Sequence, residues 1–378
     1  MGAGSALGTG FLRGASSPAK VGREVATLKG RGSADQPVNR FTQKEWIPDP
    51  EYLEHLYLCG EDDPPQTEVI DDASRSVITK NSSPDIEFDY SLNPYRGCEH
   101  GCSYCYARPS HEYLGFSPGL DFETRIVAKR EAAELLREEL SKPGWKVPDM
   151  VMSGITDPYQ PLEKKLEITR RCLEVLSQFG QPVELITKNY LITRDLDLLT
   201  QLASKRAVRV RISVTSLDPE LSRTLEPRAS SPERRLQAIE LLSQAGIPVG
   251  VNVSPVIPGL NDHEMISILE RAAEAGAVWG HYIPLRLPGA VSSVFVSWLE
   301  RYRPHTRDKV IRLVKELRGG KLNQSEFHKR FQGQGEVARR LRQLYQLGMK
   351  KAGLSFSVPR LDPRSFEVPG PKQLGLFD

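Results

Sequence analysis

Three cysteines within eight residues are the side chains of this 378-residue sequence best suited to chemistry. They sit in the run Asn93-Pro94-Tyr95-Arg96-Gly97-Cys98-Glu99-His100-Gly101-Cys102-Ser103-Tyr104-Cys105-Tyr106. Their C-x3-C-x2-C spacing, with Gly97 and Gly101 between, lets one short loop wrap its sulfurs around a single centre. Thiolates are soft ligands, matched to iron–sulfur clusters. Three ligands in place of four leave one iron of a [4Fe–4S] cluster open to another molecule. The competing reading is structural zinc with His100 or His111 as a fourth ligand, but such sites usually bring a second cysteine pair. Cys59 and Cys172 stand alone, so the ligand arithmetic favours the cluster. An odd count of five cysteines, three of them crowded, also suits a reducing compartment, here the cytoplasm.

Such a loop needs a scaffold, and the residues after 86 supply the pattern of one. A short strand is expected near Phe88 to Leu92, before the cysteines. Buried or alternating strands follow at 149–153, 183–187, 208–215, 249–257 and 279–287. Helical periodicity falls between them at 126–140, 169–179, 195–203, 232–245 and 262–275, with Ser231 as an N-cap and Gly246 as a stop. Strands and helices alternating in this way predict βαβ crossovers and a parallel sheet. Six such units make an α/β fold, a partial (β/α)6 TIM-type barrel over 86–290, whose ligands gather at the C-terminal ends of the strands.

The flanks read differently. Residues 1–85 are rich in Gly, Ser, Pro and Asp and predict an irregular leader, disordered over the first 35 or so, with one short helix at 50–57. After 290 only helices are expected, at 293–302, 307–317 and 336–352, and 355–378 reads as a flexible tail. Composition is ordinary for a chain with a sizeable core, at 39% hydrophobic and 26% charged residues. No run of about 18 apolar residues predicts a membrane span, and the start lacks the features of a secretory signal. Residues 301–353 hold 15 Lys and Arg against 4 Asp and Glu, which leaves the rest of the chain negative. That asymmetry suits either a face for a polyanion or a set of solvated helices.

The cysteine motif, followed by an aromatic residue on a loop after a first strand, resembles the radical SAM superfamily. Asn93 to Cys98, Thr156-Asp157-Pro158-Tyr159-Gln160-Pro161 and Ile186-Thr187-Lys188-Asn189 are similar to the spore photoproduct lyase-like, or DNA repair photolyase-like, group. The likeness spans about 75–355. It implies a [4Fe–4S] cluster on Cys98, Cys102 and Cys105 whose open iron holds S-adenosylmethionine (SAM). SAM would be cleaved to methionine and a 5′-deoxyadenosyl radical, with the protein supplying position and water exclusion. It also implies an external electron donor.

By the same resemblance, Gly154 presents backbone to the SAM amino group, and Thr156 and Asp157 hold the ligand at the sheet edge, although Asp157-Pro158 equally suits a plain turn. Lys188 pairs with the SAM carboxylate or is a solvated loop lysine. Ser213 and Thr215 share one strand face with Arg209 and Arg211 and are read as ribose or SAM contacts, with a polar edge strand as the alternative. Tyr104 joins the cofactor contacts. Tyr106 packs on the adenine or serves a radical relay; either tyrosine could also be ordinary packing. One departure stands out: where the lyase carries a hydrogen-returning cysteine, this sequence has Ser153, Gly154 and Ile155. Cys172 reads as a small core residue.

The run Gln373-Leu374-Gly375-Leu376-Phe377 resembles the bacterial sliding-clamp-binding motif, with apolar anchors on a flexible segment. Together with the basic helices it points to nucleic acid, above all DNA, as the substrate. Two alternatives stay open: radical SAM modification of RNA, protein or a small molecule, and a non-catalytic iron–sulfur protein docking on replication machinery.

Overall fold

The computed structural model describes residues 30–41 and 66–370. Cys59, the helix expected at 50–57 and the clamp-type run 373–377 lie outside the described residues. In chain order the strands are β1 (Glu68–Asp71), β2 (Ile78–Lys80), β3 (Tyr90–Leu92), β4 (Tyr95–Arg96), β5 (Arg125–Ala128), β6 (Met150–Met152), β7 (Val183–Thr187), β8 (Val208–Ser213), β9 (Val249–Val256) and β10 (Trp279–Pro284). β3, β6, β7, β8, β9 and β10 are neighbours in that order and all parallel; β2 adds antiparallel to β3. The result is the expected partial barrel of six parallel strands.

Period-two alternation decides which residues see the inside. Val183, Leu185, Val208, Val210, Ile212, Val249, Val251 and Val253 pack outward on Leu199, Leu202, Ile239, Leu242 and Leu269 of the crossover helices. The opposite set, including Glu184, Lys188, Arg209, Arg211, Ser213 and Asn252, therefore faces the lumen. Arg209 and Arg211 both pair there with Glu184, at 2.7 and 2.5 Å. The helices end as their sequences direct: the Ser231 hydroxyl accepts from the Arg234 N–H at 3.4 Å at the start of Pro232–Gln244.

Three expectations need correction. Residues 126–128 are not helical. Ile126, Val127 and Ala128 form β5 between β1 and β4 in a second, three-stranded sheet, and the helix begins only at Ala132. β-branched residues with strand partners outbid a helical period that continues across them. The leader is not irregular throughout, since 66–85 contain β1 and β2, and Arg31 and Ser33 are buried. The tail through Glu367 is packed: Ser355 bridges to Trp279, Asp362 pairs with Arg206 at 2.6 Å, and Phe366 lies against Phe179.

The α-helices after the barrel are Val291–Tyr302, Arg307–Leu317, the single turn Lys329–Gln332 and Gly335–Ala352. The last puts Val337, Ala338, Leu341 and Met349 into the main core. The first two cover one flank of the cysteine loop, where Cys102 and Tyr104 join Leu221, Leu225, Phe295, Trp298 and Val314 in a second apolar cluster. No helix among the described residues is long and apolar enough to cross a membrane.

Candidate cluster-binding site

The cysteine loop leaves β4 at the C-terminal edge of the barrel. Its backbone is pinned: the Cys98 N–H donates to the Phe122 carbonyl at 2.9 Å and the Ser103 N–H to the Leu225 carbonyl at 3.1 Å. Gly101 takes φ +67°, and a Cβ there would stand 2.7 Å from a Glu123 carboxylate oxygen, so only glycine fits the turn. Cys98 and Cys105 pack with Ala107, Phe122 and Ile155, while Cys105 also touches the cluster around Cys102. Burial holds all three thiols above their ordinary range, and Lys188 pulls Cys102 and Cys105 back down. Buried thiols of this kind become ligands when a metal displaces their protons.

The donor set fits an iron–sulfur cluster better than zinc. His100 is engaged by Asp157 at 3.4 Å and by the Asn189 amide nitrogen at 3.1 Å. His111 Nε2 faces the Arg125 carbonyl at 2.9 Å. Among the described residues no three His, Cys, Asp or Glu side chains close on a site for one metal ion. Three soft donors on one loop suit a polynuclear cluster.

Behind the loop lies a fully buried pair. Arg108 donates to the Cys102 carbonyl at 2.8 Å and to Glu123 at 2.5 Å, and both side chains have no exposed surface. Glu123 also accepts from the backbone of Gly32 at 3.0 Å and of Ser33 at 2.8 Å. A segment some ninety residues earlier is thereby laced under the cysteines.

Facing the barrel, the strand ends are cross-tied. The Asn93 side chain accepts from the Ile155 N–H at 3.1 Å, and the Thr156 hydroxyl donates to the Gly97 carbonyl at 2.7 Å. Gln160 reaches the Thr156 hydroxyl at 3.1 Å and accepts from the Glu99 N–H at 2.9 Å. The Asp157 carboxylate receives the Tyr159 N–H at 2.9 Å, the Thr187 hydroxyl at 2.6 Å and the Lys188 N–H at 2.9 Å, beside His100. Burial opposes its charge, but those partners prevail and hold the carboxyl below its ordinary range. A carboxylate offers about four acceptor positions, and here each has a protein partner.

Deeper in the mouth, Glu226 is the hub. It accepts from Tyr104, from Thr215 at 2.7 Å and from Arg235 at 2.5 Å, and the Lys188 ammonium stands 3.8 Å away. Burial alone would raise its pKa, yet Arg235, Lys188 and the hydroxyls bring it down to about 2. Lys188 also donates to the Ser254 carbonyl at 3.4 Å and lies 5.9 Å from the centre of the Tyr104 ring. Its side chain keeps 17% of its surface exposed.

The residues singled out in the sequence therefore separate into two groups. Lys188, Gly154, Ser213 and Tyr106 reach the mouth or the lumen, with the Tyr106 hydroxyl donating to the Gly154 carbonyl at 2.7 Å while its ring stays 54% exposed. Tyr104, Thr156, Asp157 and Thr215 have their polar atoms engaged by protein groups and brace the strand ends. Sequence reasoning missed Glu123, Arg108, Glu226 and Arg235. The one available signal was Arg108, three residues past the last cysteine. Cys172 is fully buried in the core, as expected.

Residues 92–272 match the family described as the Radical SAM superfamily. Residues 92–272 thus form a radical SAM domain. An uncharacterized protein of Mycobacterium bovis is 38% identical over 221 residues, 58% of this chain and 65% of that relative, so the chain spans less than two thirds of it. The Radical SAM Nalpha-GlyT isomerase of Pseudomonas phage M6 is 28% identical over 186 residues, 48% of this chain and 36% of the phage protein. Among solved structures, a spore photoproduct lyase variant with dinucleoside spore photoproduct aligns with a TM-score of 0.54 at 17% identity, over 83% of this chain and 86% of that one. Another, with bound AdoMet and the same dinucleoside, gives 0.53 at 16% identity over 75% and 78%. At these identities the likeness establishes the shared fold.

Proposed function

We propose that Cys98, Cys102 and Cys105 hold a [4Fe–4S] cluster, that SAM binds beside it at the barrel mouth, and that the substrate is nucleic acid, with damaged DNA the first candidate. The observation that carries this reading is the meeting of the buried Cys98 and Cys102 thiols, the half-buried Cys105, the Gly154 backbone and the Lys188 ammonium at one end of the sheet. When bound, the cluster supplies an electron, from an external donor, that breaks a C–S bond of SAM and leaves a 5′-deoxyadenosyl radical. The chain's own part is positional. Lys188 offers its ammonium to the SAM carboxylate, held in place by the buried Glu226 charge. Gly154 lends backbone to the SAM amino group, and Ser213 lines the lumen below. Tyr106, tethered to Gly154, stands against the adenine or relays a hydrogen, since Ser153 occupies the region where the lyase has its thiol. The helices at 291–302 and 307–317 shield the Cys102 flank from water.

Anaerobic reconstitution with dithionite and SAM tests the reading. The expected product is 5′-deoxyadenosine, formed faster with ultraviolet-irradiated DNA. Formation indifferent to DNA would favour an RNA, protein or small-molecule substrate. An intact cluster that forms none would leave a non-catalytic docking protein. Gln373, Leu374, Leu376 and Phe377 are assigned to a sliding clamp, and L376A with F377A should abolish clamp capture.

A further inference from the structure

The basic segment is less free than its composition implies. Arg303, Arg307, Lys329, Arg330, Arg339 and Arg340 are ion-paired within the protein. Arg318 is buried and donates to the carbonyls of Pro284 and Leu285, at 2.8 and 2.5 Å. One cation just before this segment is different. Arg286 follows β10, makes no close ion pair among the described residues although Asp85 acts on its charge from further away, and leaves its Nε buried without a hydrogen bond. Burial and the neighbouring Arg330 both press its charge, and it lies close enough to Tyr106 for the two to interact electrostatically.

Arg286 also begins a row of alternating cations and rings. Its guanidinium lies 4.5 Å from the centre of Phe331; Arg330 lies 5.0 Å from Phe331 and 4.9 Å from Phe327. Arg330 is neutralised by Asp85, which fastens this row to the loop after β2, and Phe327 at its outer end is 49% exposed. An exposed ring and a guanidinium without a close ion pair, at the two ends of one row of side chains, offer the two things a nucleotide needs: a stacking surface and a phosphate partner.

We propose that Phe327 and Arg286 form a subsite for an unpaired nucleotide of the DNA strand, flanking the one presented at the mouth beside Tyr106. The base stacks on Phe327 and the adjoining phosphate meets Arg286. Asp85 cancels Arg330, so the row carries one free positive charge rather than two. This subsite rests on the nucleic-acid reading above.

The probes are a labelled oligodeoxythymidine 12-mer and a fully abasic strand of the same length, titrated with the full chain over a range of salt. F327A should weaken the thymidine strand about tenfold and leave the abasic strand unchanged, because only the former can stack. R286Q should weaken both and lower the salt slope by about 0.7, one phosphate on a single strand, while R286K restores the slope. Y113A removes another exposed ring, 74% accessible, and should change neither. F327A equal to the wild type on thymidine, or an unchanged slope in R286Q, would overturn the subsite alone. A wild-type chain that binds neither strand at low salt would overturn the nucleic-acid reading with it.

Discussion

On one side of the cysteine loop Glu123 meets Arg108, and on the other Glu226 meets Arg235; both contacts are 2.5 Å and both are buried. Their surroundings differ. Among the described residues the Glu123 carboxylate bonds Arg108 and the backbone of Gly32 and Ser33, and Arg31 of the same strap donates to the Glu123 carbonyl, so these contacts tie the loop to the strap. Glu226 reaches outward through Lys188, which remains partly exposed. A buried ion pair whose donors are all engaged can only brace, whereas one whose neighbour stays partly exposed is also free to meet a ligand. Breaking either pair by removing one partner leaves an uncompensated charge in the interior.

Four substitutions separate the two networks. The largest effect belongs to the loop both networks serve: C98A should lose the cluster and all 5′-deoxyadenosine formation, read by iron content and product assay. Next, E123A leaves Arg108 buried without its counter-charge and should destabilise the fold by about 3–5 kcal/mol in urea unfolding. Iron content should fall in step with stability, as for a brace. K188A should behave oppositely, with stability lower by about 1 kcal/mol or less. Its SAM affinity should drop about tenfold or more, the loss of a charge-assisted hydrogen bond, as isothermal titration would show. The smallest effect is in pH. The Glu226 pKa is lowered to about 2, so its stabilisation is fully present above the ordinary carboxyl range and is lost as pH falls toward 2. Acid unfolding between about pH 4.5 and 2 should therefore be less steep in E226Q than in the wild type.

Legibility followed distance along the chain. The cysteine spacing, the alternation of β8 and the Ser231 cap are local, and each could be read from a few neighbouring residues. The Glu123 contact to Gly32 and Ser33 crosses some ninety positions and leaves no periodic trace. β5 was hidden because Ile126 and Val127 also continue a helical stripe, and only β1 and β4 decide the matter. Asp157 and Thr156 were correctly placed at the strand end, but their partners come from β7, the Cys98 loop and His100, so their bracing role could not be seen in sequence.

The central claim is that three thiols hold a cluster with one corner left for SAM. Electron paramagnetic resonance of the anaerobically reduced protein, recorded with and without SAM, tests it most directly. The expected outcome is a reduced [4Fe–4S] signal that changes on adding SAM and is absent in C98A. Bound zinc in place of iron, or a cluster signal indifferent to SAM, would contradict it.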